Sequence, residues 1–161
     1  MITLVLGGTR SGKSELAERL AVATGEPVTY IATARLGDDP DFAARVALHR
    51  ARRPASWATV EAPDDLPGAL RAAGATALVE SLGTWIANVP DFAADVDALC
   101  DALVARTGVT ILVSEEVGLG VHPPTEAGVR FADAVGDCNR RVAATADRVL
   151  LVVAGRTLEL R

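Results

Sequence analysis

The chain has 161 residues, the size of one domain whose core needs no disulfide or metal staple, and a single domain over 1–161 is expected. Half of the residues are hydrophobic but only 4 % are aromatic, so that core must be built from Ala, Val and Leu, which suits an α/β layer fold. The formal charge of −5, from 21 acidic against 16 basic side chains, argues against a phosphate-rich polymer as partner, and no nucleic acid is expected.

The start, Met1 to Leu6, lacks a basic leader and runs straight into glycine. No apolar stretch approaches the ~20 residues of a membrane helix, so no membrane segment and a cytoplasmic location are expected. The two cysteines, Cys100 and Cys138, fit neither a C-x-x-C pair nor zinc spacing and read as inert thiols in a reducing compartment.

In chain order, Ile2 to Leu6 is a short β-branched apolar run, followed by a glycine loop and then by Leu16, Ala17, Leu20 and Ala21 at helical spacing. Val28 to Ala34 predicts a second strand. Gly37, Asp38, Asp39 and Pro40 form a turn, and Asp41 caps a helix running through Arg52. Ala77 to Val79 predicts a third strand ending in Glu80. Val109 to Val113 predicts a fourth ending in Ser114, and Val149 to Val153 a fifth closing on Gly155, with helices in the gaps. Strands apolar throughout belong in a parallel sheet covered on both faces, so the expected architecture is a doubly wound α/β sandwich. Ligands of such sheets bind beyond the carboxyl ends of the strands, where Gly7, Thr33, Glu80 and Ser114 to Gly118 converge.

The segment Gly7-Gly8-Thr9-Arg10-Ser11-Gly12-Lys13-Ser14 matches G-x-x-x-x-G-K-[ST] between strand and helix, which makes the fold a P-loop NTPase type. Its glycines allow the loop amides to turn inward onto phosphate oxygens. Lys13 reaches the outer phosphates, the Ser14 hydroxyl is a ligand for Mg²⁺, and the following helix offers its positive end. Glu80 is a second metal candidate, as the acidic residue after an apolar strand in such enzymes, or else a solvated strand end.

The run Arg45 to Arg53 sets Arg45 four residues before His49 and Arg52 three after it on one helix. Cations there keep an imidazole neutral, and a neutral ring nitrogen is a nucleophile toward phosphorus. The same spacing also puts His49 on an apolar stripe with Phe42 and Val46, so spacing leaves both readings open. His122, in Gly120-Val-His122-Pro-Pro, has no second histidine near it and receives no catalytic role.

Taken together, the loop, Tyr30-Ile-Ala-Thr-Ala34, Arg45 to Trp57, Glu80 through Asn88 and Glu116-Val-Gly-Leu-Gly-Val-His-Pro123 closely resemble the bifunctional adenosylcobinamide kinase and adenosylcobinamide-phosphate guanylyltransferase family of cobalamin biosynthesis. The resemblance runs to the terminal Leu-Leu-Val-Val-Ala-Gly155. It implies phosphorylation of adenosylcobinamide with ATP or GTP, then transfer of GMP from GTP to that phosphate through a guanylylated histidine, which matches His49. It further implies that Arg50, Ala51 and Arg52, Ala32, Thr33 and Ala34, and Glu61 line the nucleotide, and that Glu80 contacts base, ribose or metal. A homo-oligomer is implied as well, a trimer being one form. Three positions depart from the family pattern: Ser81 stands where cysteine is common, Gly83 where threonine is frequent, and Glu115 where asparagine often stands. The segment after Asn88 is also short.

Two rival functions are a plain P-loop small-molecule kinase, which would not need His49, and a GTP-driven switch. The switch finds a D-x-x-G string in Asp133 to Gly136, but that string falls within a predicted helix and no N-K-x-D motif accompanies it.

Overall fold

A computed structural model describes residues 1–35, 44, 46, 47 and 50–161. The predicted turn at 37–40, the Asp41 cap, Phe42, Arg45 and His49 lie outside the described residues. The predicted helix from Asp41 through Arg52 is helical at its described positions Ala44, Val46, Ala47 and 50–52.

Among the described residues, seven strands form one sheet: β1 (Ile2–Gly7), β2 (Val28–Ala32), β3 (Ala58–Glu61), β4 (Thr76–Glu80), β5 (Val109–Glu115), β6 (Arg148–Val153) and β7 (Arg156–Leu160). Their spatial order is β3-β2-β4-β5-β1-β6-β7, and every pairing is parallel except that of β6 with β7. The P-loop strand β1 is buried along its whole length, which is why it carries no polar alternation. The predicted second strand ends two residues early: the Thr33 N–H still donates to the Glu80 carbonyl at 3.1 Å, as the register of the parallel pair requires, and the Thr33 hydroxyl then turns to the backbone of Ser81.

β3 and β7 were not expected. Both are edge strands exposed at every residue, so neither shows the continuous apolar run by which the inner strands were read. β7 returns on β6 through Ala154 and Gly155, both at positive φ (50° and 72°), the backbone of a two-residue hairpin turn.

Helices cover both faces, as expected. On one face, α1 (Lys13–Ala23) sets Ala17 and Ala21 against Val5, Tyr30, Leu78 and Val113. On the other lie α2 (Leu66–Ala72), α3 (Leu82–Asn88), α4 (Val96–Ala105) and α5 (Glu126–Thr145), whose Leu70, Trp85, Leu103 and Val142 meet Leu4, Ile31, Val79 and Leu112. The alternation of Leu4, Val5 and Leu6 between the two cores follows from the two-residue period of a strand. These helices start at side-chain caps: the Asp65, Asp95 and Thr125 side chains each accept the backbone N–H three residues on, and Ser81 and Thr84 form a reciprocal capping box. The predicted helix around Asp133 to Gly136 lies inside α5, where a D-x-x-G string has no switch-loop geometry.

Candidate functional site

Strand register places the site. Gly7 pairs with Glu115, Glu80 with Val113, and Ala32 with both Glu80 and Glu61. Ala32, Glu61, Glu80, Glu115 and the P-loop therefore share the carboxyl edge of the sheet.

Gly8 to Gly12 form a compact loop. Arg10 (φ 57°) and Gly12 (φ 95°) take left-handed conformations, Ser11 donates its N–H to the Gly8 carbonyl at 3.3 Å, and its hydroxyl accepts the Lys13 N–H at 3.3 Å. A Cβ at Gly7 would lie 2.5 Å from the Ser11 hydroxyl and 2.8 Å from the Val152 carbonyl, so this glycine is required by close approach. The loop is braced from outside, since the Gly155 N–H donates to the Ser11 carbonyl at 2.9 Å. Gly12 precedes α1 with no side chain capping the helix, which leaves a helix N-terminus suited to an anion. Lys13 is almost fully buried, and its ammonium donates to the Gly8 carbonyl at 3.4 Å.

The Ser14 hydroxyl donates to Glu80 Oε1 at 2.7 Å, joining α1 to the end of β4. Glu80 Oε2 is shut away from solvent without a hydrogen-bond partner. Burial outweighs the Ser14 hydrogen bond and, with the nearby Glu115 charge, holds the Glu80 carboxyl up to about 7. A half-satisfied buried carboxylate beside a hydroxyl is an oxygen donor set of the kind that suits Mg²⁺, which takes one or two protein ligands and completes its shell with phosphate and water.

Beside this pair stands Glu115, which the sequence places at the ligand edge within Ser114 to Gly118 without a role of its own. Its carboxylate accepts from the Ser81 hydroxyl (3.0 Å to each oxygen) and the Gly83 N–H (3.1 Å), and lies 3.9 Å from the Lys13 ammonium. Ser81 and Gly83, read with Glu115 as departures in the family resemblance, thus both meet the Glu115 carboxylate. Ser81 also donates its N–H to the Thr33 hydroxyl at 2.8 Å, and the Thr33 hydroxyl pairs with the Ser81 carbonyl and Thr84. The Asn88 amide holds the Thr33 carbonyl at 2.6 Å, fixing the backbone that leads to Ala34.

Further along the edge, Arg50 donates to Glu61 at 2.7 Å and Arg52 to Glu18 on α1 at 3.2 Å, which brings the described end of the Arg45–Arg52 helix beside the P-loop helix. Arg50 and Glu61, with Arg53, Pro54, Ala55, Trp57 and Thr59, line an open cleft of about 480 Å³. The Arg53 guanidinium lies 3.3 Å from the centre of the Tyr30 ring, and Tyr30 stacks on Trp57 at 6.4 Å. Ala51 is exposed on the same helix. His122 is exposed, with Nδ1 3.1 Å from the Pro123 carbonyl.

A braced phosphate loop, a buried lysine and a serine–carboxylate pair at the edge of a parallel sheet define a P-loop nucleotide-binding enzyme. Similarity to solved structures agrees on the fold. FlaH, a flagellar accessory protein from Methanocaldococcus jannaschii, superposes with a TM-score of 0.53 at 15% identity, over 97% of this chain and 74% of FlaH. The RadB recombinase gives 0.53 at 17%, over 93% and 73%.

Sequence similarity is more specific. The profile of the cobinamide kinase / cobinamide phosphate guanyltransferase family matches residues 3–160, and the chain belongs to that family. It is 43% identical to the bifunctional adenosylcobalamin biosynthesis protein CobP of Pseudomonas aeruginosa, over all of this chain and 98% of the relative. With the CobU protein of Salmonella typhimurium, of the same description, identity is 35% over the whole of both chains. The chain is accordingly a bifunctional transferase of cobalamin biosynthesis, and neither rival reading is favoured.

Proposed function

We propose that both reactions of the family run at the described sheet edge. In the first, the triphosphate lies on the amides of Gly7 to Gly12, with Lys13 against its outer phosphates. The acceptor hydroxyl of adenosylcobinamide attacks the γ-phosphorus, and its oxygen bond to the β-phosphate breaks to release the nucleoside diphosphate. In the second, a ring nitrogen of His49 attacks the α-phosphorus of GTP and pyrophosphate leaves. The phosphate of adenosylcobinamide phosphate then attacks the same phosphorus, freeing His49 and giving adenosylcobinamide-GDP. Ser14 and Glu80 would hold Mg²⁺, which supplies charge neutralisation at the phosphates when bound.

The observation that carries this reading is the Ser14–Glu80 pair, whose second carboxylate oxygen is buried without a partner next to the P-loop lysine. Glu61, whose carboxylate faces the cleft with Arg50, has the two acceptors that guanine N–H donors require. Thr33 with Ala32 and Ala34, fixed by Ser81 and Asn88, would flank the nucleotide, and Arg50, Ala51 and Arg52 would line its phosphates and ribose. The enzyme would work in the cytoplasm as a homo-oligomer, a trimer being one form, with its corrinoid in a cleft between chains. No described helix is long and apolar enough to cross a membrane.

The test is trapping of label from α-labelled GTP. Wild-type protein should carry acid-labile GMP, and His49→Ala should carry none while still binding GTP. Label retained on His49→Ala would overturn the assignment of His49 and move the nucleophile to another residue.

A further inference from the structure

We propose that Glu115 is a positioning residue for Lys13, seated for that purpose by Ser81 and by the absence of a side chain at Gly83. The inference rests on the reading of Lys13 as the phosphate-binding lysine.

Glu115 is the last residue of β5, the strand beside the P-loop strand, and its backbone is fixed on both sides. The Asn139 amide on α5 donates to the Glu115 carbonyl at 3.0 Å, and the next N–H, of Glu116, donates to the Gly7 carbonyl at 3.1 Å. The carboxylate takes its uncharged donors from one direction, the Ser81 hydroxyl and the Gly83 N–H at the start of α3. Gly83 holds Oε2, the Ser81 hydroxyl lies 3.0 Å from both oxygens, and Oε1 also faces Lys13, 3.9 Å from the ammonium. Rotation of the carboxylate away from Lys13 would break the Ser81 and Gly83 bonds together.

Gly83 is part of the same device. A Cβ at that position would lie 2.1 Å from Glu115 Oε2 and 2.9 Å from its Cδ, so any side chain would displace the carboxylate. The space at position 83 is occupied by the functional group of residue 115.

The consequence for Lys13 is orientation. A lysine stem carries much rotamer freedom, and an ammonium attracted to one fixed carboxylate and one loop carbonyl keeps its place before any phosphate arrives. The same negative charge opposes the bound triphosphate and partly satisfies the ammonium, so it weakens nucleotide binding while fixing where the lysine acts. A group with this role separates affinity from turnover in opposite directions, which loss of folded protein does not do.

The test is Glu115→Gln in the full chain, with GTP affinity measured by calorimetry and the kinase step followed with adenosylcobinamide as acceptor. Removing an ion pair that is partly open to solvent should tighten GTP binding about threefold, and an ammonium no longer held in place should lower kcat about tenfold. Gly83→Ala, which displaces the carboxylate without removing it, should reproduce both changes and should have no further effect in a Glu115→Ala background. Unchanged or weaker GTP binding in Glu115→Gln, a retained kcat, or an additive Gly83→Ala effect would each overturn the assignment. Lys13→Met tests the underlying reading separately: undiminished GTP binding there would sink the phosphate site itself. Weakened binding there, with wild-type kinetics in Glu115→Gln, would overturn the positioning role alone.

Discussion

Glu80→Gln should stabilise the nucleotide-free protein, and by an amount that depends on pH. The Glu80 carboxyl moves from 4.5 in the unfolded chain to about 7 in the folded one, chiefly because it is buried. The folded value is the higher, so the folded state binds the proton more tightly. The stability linked to that proton is present in full below about pH 4.5 and is lost as pH rises toward 7. At roughly 1.4 kcal/mol for each pH unit, the gap amounts to at most about 3 kcal/mol at pH 8. Glutamine keeps an oxygen to accept from Ser14 and cannot ionise. Its amide nitrogen takes the place of the unpartnered Oε2, much as the protonated acid does. Thermal melts of both proteins between pH 4.5 and pH 8 measure the effect. The curves should coincide at the acid end and separate by roughly 6–12 °C at pH 8, the variant melting higher. Parallel curves over the whole range, or a variant that melts lower at pH 8, would refute the claim that folding strands a charge at this position. Mg²⁺ with nucleotide should narrow the gap by stabilising the wild type more than the variant.

Arg106 lies at the opposite edge of the sheet, where its guanidinium donates to the carbonyls of Leu70, Ala73 and Gly74 and to the Thr110 hydroxyl. Arg106→Ala should cost about 2–4 kcal/mol in denaturant unfolding, because those carbonyls lose their partner, while GTP affinity stays at the wild-type value. Leu112→Ala, at a fully buried position in the centre of the sheet, should cost about 2–5 kcal/mol by the same measurement.

What was legible in the sequence was whatever depends on neighbours along the chain. Gly7 to Ser14 carries its function in its spacing, and the inner strands announce themselves because a strand covered on both faces has no room for polar alternation. Glu80 could be picked out as the polar end of such a strand. β3 and β7 were missed because an edge strand is stabilised by its partner, and Arg-Thr-Leu-Glu-Leu reads as a half-polar tail until β6 is placed beside it. Glu115 was legible as part of the Ser114 to Gly118 ligand edge and as a departure at one position, but without a partner. Its meaning required the register that sets it opposite Gly7 and the start of α3 that sets Ser81 and Gly83 against it. The cleft beside Arg50 was similarly hidden, since Tyr30, Arg53 and Trp57 meet only after β2 and β3 pair.

The hydrogen bond from Gly155 to the Ser11 carbonyl has an implication for how the enzyme is made. During synthesis the phosphate loop emerges well before the hairpin that clasps it, with most of the strands of the sheet between them. A growing chain can assemble β1 and α1 and still lack the clasp that holds the loop in shape. Competence to grip a triphosphate would thus arrive late, after most of the sheet exists, and ribosome-bound fragments would have little means of sequestering cellular GTP.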